Sequence, residues 1–83
     1  MTHALPRDEM VERVVDSLRR RGCSETEAWT EIEQCFMFVL WEGAAGRCAD
    51  DDLLARFHAV LEQVEQGQRV ANIWPEMDAA GEE

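Results

Sequence analysis

The reading turns on residues 24–43, SETEAWTEIEQCFMFVLWEG. Ser24-Glu25-Thr26-Glu27 is a capping box: the serine hydroxyl takes a free amide of the first turn, and the glutamate three residues on reaches back to the serine amide. The pattern predicts a helix over about 25–42 that stops at Gly43. At 100° per residue, Ala28, Trp29, Ile32, Cys35, Phe36, Val39 and Leu40 fall within an arc of roughly 140°, an ordinary core stripe. Met37, Phe38 and Trp41 lie on the opposite side of the same helix. The N-terminal half of that far side is polar, with Glu27, Thr30, Glu31 and Gln34, so only the C-terminal half is apolar all round.

Upstream, Val11, Val14, Val15 and Leu18 recur at i, i+3, i+4 and i+7 and predict a helix over about 6–21. Pro6 suits its first turn, and Gly22 suits its end. Glu9 with Arg13 and Asp16 with Arg20 are spaced as acid-first pairs one turn apart. Arg19, Arg20 and Arg21 read as compensation for the helix dipole on a solvated face. Downstream, Gly-Ala-Ala-Gly-Arg-Cys-Ala over 43–49 reads as a connection, and Asp50 or Asp51 as the N-cap of a third helix. Leu53, Leu54, Phe57, Val60, Leu61 and Val64 form its stripe and Gly67 its end. Val70, Ile73 and Trp74 are spaced for one short helical turn, closed before Pro75 because a residue preceding proline is pushed out of helical geometry. Residues 1–5 read as a loose end and 76–83 as a disordered acidic tail, leaving 6–75 as a single helical domain. No strand pattern appears. The expected fold is all-α, a small three-helix domain with a short fourth helical segment.

Charge narrows the function. The chain has 83 residues, 8 basic against 18 acidic, for a net charge of −10. Nucleic-acid binders draw affinity from cations facing phosphates, so direct nucleic-acid binding is not expected. The longest apolar run, Cys35 to Trp41, is far below the roughly 20 residues needed to span a bilayer, so no membrane association is expected either. No basic stretch followed by an apolar one opens the chain, so no secretory signal is read. An odd set of three cysteines, Cys23, Cys35 and Cys48, fits reduced thiols and a cytoplasmic setting. All eight basic residues are Arg, which we read as the codon bias of a GC-rich bacterium or phage.

The glycine-containing loop before the third helix lacks a Gly-Lys-Ser/Thr, and three aspartates would repel phosphate there. Those aspartates are adjacent, so they point in different directions and do not converge on an ion. Zinc would have to gather Cys23, Cys35, Cys48, His3 and His58 through tertiary proximity, since the cysteines are 12 and 13 residues apart in place of the usual close pair. Cys48 with His58 is the one nucleophile–base pair worth weighing, and the neighbouring aspartates oppose a lowered thiol pKa. Glu25, Glu27, Glu31 and Glu33 read as a solvated face. No enzyme, cofactor or metal site is expected.

The expected site is the rear of the second helix: Met37, Phe38 and Trp41, extended by Trp74. Two arrangements accommodate it. Either the Val70–Trp74 segment covers it from within, or it stands open to a partner, and aromatic residues and Met are enriched at such contacts. The sequence reading favours the open patch. It implies a regulator or inhibitor that binds and sequesters a protein, such as a transcription factor with a basic rim, or a second copy of the chain as a homodimer. An acidic mimic of nucleic acid is one alternative. A thiol redox or zinc sensor built on Cys23, Cys35 and Cys48 is another.

Overall fold

A computed structural model describes residues 8–74. The fold is all-α, with no strand among the described residues. Helix α1 spans Glu9–Arg20, α2 spans Glu25–Ala44, α3 spans Leu53–Glu65 and α4 is the single turn Val70–Ile73. Pro6, the loose end over 1–5 and the acidic tail over 76–83 lie outside the described residues.

Each helix end has a local cause. Helix α1 begins three residues later than its periodicity suggested, because Asp8 adopts an extended conformation and its carboxylate accepts the Val11 amide at 3.1 Å. The capping box of α2 forms in full, with Ser24 Oγ accepting from Glu27 N at 3.1 Å and Glu27 Oε1 accepting from Ser24 N at 2.8 Å. Helix α2 runs through Gly43 to Ala44, and its stop is Gly46. All three long helices close alike: Gly22, Gly46 and Gly67 sit at φ +100, +78 and +114, and the following amide returns to a carbonyl five residues back. That closure needs a left-handed residue, which glycine supplies at no steric cost. Gly43 serves a different purpose. A Cβ there would lie 3.0 Å from Leu53 Cδ2, so its bare backbone lets α3 approach. The aspartate triplet does not cap α3 with a side chain: Asp50–Asp52 form a tight 3-10 turn, and the α-helix starts only at Leu53.

Helices α1, α2 and α3 pack against one another, and α4 packs on α2. Val11, Val14, Val15 and Leu18 meet Ala28, Ile32, Cys35 and Val39, and Phe57, Val60, Leu61 and Val64 complete the core. Phe36 stands edge-on to Phe57 at 5.3 Å between centroids. Burying these side chains is the main favourable term, at about 1.5–3 kcal/mol for each large one.

Long-range polar contacts set the order of the helices. Asp8 Oδ2 lies 2.6 Å from His58 Nε2, and Arg13 reaches Glu65 at 2.7 Å, so α1 and α3 run in the same direction. Arg21 donates to the Val64 carbonyl near the end of α3. Arg13 therefore bonds across the bundle, where the spacing had suggested a pair with Glu9. No helix among the described residues is long and apolar enough to cross a membrane.

Candidate functional site

The rear of α2 is where the structure and the sequence reading part company. Met37 is 58% exposed and Trp41 is half-buried, but Phe38 and Trp74 are buried at 4% and 5%. The segment Val70–Trp74 covers Phe38 from within the same chain. Trp74 lies 5.5 Å from both Phe38 and Trp41 between ring centroids, and Phe38 stacks on Trp41 at 6.2 Å. The patch of Met37, Phe38, Trp41 and Trp74 is thus no open surface. Two of its members belong to the core, and only Met37 and one side of Trp41 face outward.

Two arginines frame the three rings. The Arg47 guanidinium sits 4.9 Å from the Trp41 ring centre, and that of Arg56 sits 5.8 Å from the Phe38 centre. Arg56 is fixed by a two-pronged pair with Glu42, at 2.8 and 3.3 Å. A guanidinium over an aromatic face gains from the ring quadrupole, about 0.5–1 kcal/mol where water has access. The cluster is therefore closed by stacking at its edges as well as by α4.

Glu31 explains why α4 docks there. Read from the sequence as a solvated acid, Glu31 is 4% exposed. One carboxylate oxygen accepts from the Val70 amide at 2.6 Å, and the other from Arg69 at 3.0 Å. Val70 N is the first free amide of α4, and no side chain within that segment caps it. The carboxylate of α2 supplies the cap from outside. A buried carboxylate is tolerated only when it is paired and hydrogen-bonded, and here it is both. A signal for this was present: Glu31, Gln34, Phe38 and Trp41 recur at intervals of three, four and three, so they share one stripe.

The other candidate residues are spread out. Cys35 is fully buried beside Glu31, and burial first, then the Glu31 charge, pushes its thiol up to about 12. It is a core hydrophobe with no accessible nucleophile. Cys48 Sγ lies 3.6 Å from the Ala49 carbonyl oxygen, whereas His58 is committed to Asp8, so no contact joins that pair. The Asp8 carboxyl is held below the usual carboxylate range, chiefly by the Val11 amide; burial opposes this, and the hydrogen bond and charge of His58 lower it further. Among the described residues, no three His, Cys, Asp or Glu side chains gather where a metal ion could be held.

Two members of the expected core stripes, Leu54 and Trp29, instead reach the surface. Leu54 is 53% exposed on α3. An open hollow of about 450 Å³ lies along the N-terminal half of α2, lined by Glu25, Thr26, Trp29, Thr30 and Glu33. Comparison of the chain with protein-family models, with curated proteins and with solved structures finds no match.

Proposed function

We propose that this protein is a non-enzymatic binding protein that engages, and so sequesters, a partner protein presenting a basic surface. The observation that carries this reading is how the cations are used. Arg13, Arg56 and Arg69 are paired with Glu65, Glu42 and Glu31 of the same chain. Arg21 donates to the Val64 carbonyl and Arg47 lies over Trp41, which leaves Arg19 and Arg20 exposed with no ion pair among the described residues. Asp16, Glu25, Glu33, Asp50, Asp51 and Asp52 are exposed and make no ion pair among the described residues. A chain of net charge −10 therefore turns mostly carboxylates outward. Such a field attracts a cationic partner and speeds encounter with it. It also repels a second copy, which argues for a partner of opposite sign over a homodimer. A DNA-binding protein such as a transcription factor has the required charge. The three free cysteines suit a reducing compartment such as a cytoplasm.

Burial of Phe38 and Trp74 favours a second reading within the same class, in which the carboxylates stand in for nucleic-acid phosphates and apolar contact matters little. Affinity capture from cells of origin, followed by titration of the purified partner at about 50 and 300 mM salt, tests both. A basic partner whose affinity falls with salt, and falls again on Glu25→Gln with Glu33→Gln, supports the proposal. Saturable binding that ignores both changes sinks it. Phosphate mimicry further requires that nucleic acid compete for the partner and that Met37→Ala leave affinity unchanged.

A further inference from the structure

We propose that residues 69–74 form a detachable strap, which lifts from α2 while the three-helix core stays folded and so uncovers Phe38 and Trp41. The inference rests on the binding role above for its purpose, but not for its physics.

The strap is built to be held by docking alone. Its helix is a single turn, Val70–Ile73, too short to persist in water without support. Its attachments are few: the Glu31 carboxylate of α2 on Arg69 and on the Val70 amide, the buried side chains of Val70 and Trp74, and the partly buried Ile73. The chain leading into it, Gln66 to Arg69, is exposed and contains Gly67 at φ +114, so it can swing with little loss of packing. The remaining core does not depend on it, because α1, α2 and α3 each bury their own stripe against the other two. Segments with few buried contacts and an exposed approach are the ones that open below the global unfolding limit.

One buried atom favours the open form. The indole Nε1 of Trp74 is shielded from solvent and has no hydrogen-bond partner among the described residues. A buried donor left unmade is costly, and lifting the strap returns it to water. Closure therefore sets the packing of Trp74 on Phe38 and Trp41 against an unsatisfied donor, which reduces the advantage of the closed form. In the open state Phe38 and Trp41 join Met37, already 58% exposed, in one continuous apolar face.

Native-state hydrogen exchange by NMR on the full chain, in a urea series, tests this without any partner. The amides of Val70, Ile73 and Trp74 and the Trp74 indole N–H should exchange about 100-fold faster than the Val60 and Leu61 amides, with rates that hardly change at low urea. Glu31→Gln should speed the strap protons about tenfold more and leave Val60 and Leu61 unchanged. The strap is refuted if its protons and those of Val60 and Leu61 share one rate and one urea slope in the wild-type chain. That result stands even if Glu31→Gln fails to fold. It would leave the charge-based binding role intact, just as a failed partner titration would leave the strap intact.

Discussion

Asp8 holds two structures at once, and replacing it separates them. One carboxylate oxygen caps α1 through the Val11 amide at 3.1 Å, and the other lies 2.6 Å from His58 on α3. Loss of an N-cap costs about 1 kcal/mol. The pair with His58 is worth less, about 0.2–1 kcal/mol, because both side chains are more than a third exposed and water screens them. Asp8→Ala forfeits both, about 1.5 kcal/mol, which in a domain of this size lowers Tm by roughly 6–12 °C. Asp8→Asn keeps a good cap and forfeits only the charge, so its loss should be less than half as large. The pH dependence follows from the direction of the shift. The folded Asp8 carboxyl sits below its unfolded value, so its contribution is complete above pH ~4 and disappears as the pH falls through the lower folded value. Thermal melts followed by circular dichroism at pH 6 and at pH 2.5 should therefore show the gap between wild type and Asp8→Ala narrowing in acid. A gap under about 2 °C at pH 6, or one equally wide at both pH values, refutes the dual role.

Three further outcomes follow from the same contacts. In the folded chain, iodoacetamide should label Cys23 and Cys48 while sparing Cys35, whose thiol is buried and pushed up to about 12; peptide mass spectrometry showing equal labelling at all three would contradict the packing. Phe38→Ala should cost about 3 kcal/mol in urea denaturation, whereas Met37→Ala one residue away should stay within about 0.5 kcal/mol, and equal costs would mean that α4 does not cover this face. Gly67→Ala should cost about 1–2 kcal/mol, since its φ of +114 disfavours any side chain, and an unchanged melting temperature would argue against that turn.

The long helices were legible because their signals are local. Val11, Val14, Val15 and Leu18 declare a buried stripe by spacing alone, and Ser24 with Glu27 declares a helix start within four residues. Boundaries failed where two signals competed nearby: Pro6 against Asp8 at the start of α1, Gly43 against Gly46 at the end of α2, and three adjacent aspartates before α3. In each case backbone geometry chose between residues that composition ranks alike. The candidate site was half legible. The sequence marked Met37, Phe38, Trp41 and Trp74 as one group, and the structure does bring the three aromatic members together. It did not show that they meet each other inside the chain.

Sequence by itself therefore determined the helices, their apolar faces, the acidity of the exterior and the absence of an apolar segment long enough to span a bilayer. Tertiary structure decided which apolar face is covered and which charges are spent. Glu31 looked solvated because the amide it caps lies 39 residues away, and Arg13 looked paired within its helix because Glu65 lies 52 away. A periodic pattern reports the environment averaged around one helix. It carries no record of a donor that arrives from another part of the chain, and here such donors and acceptors turned an open patch into a closed one.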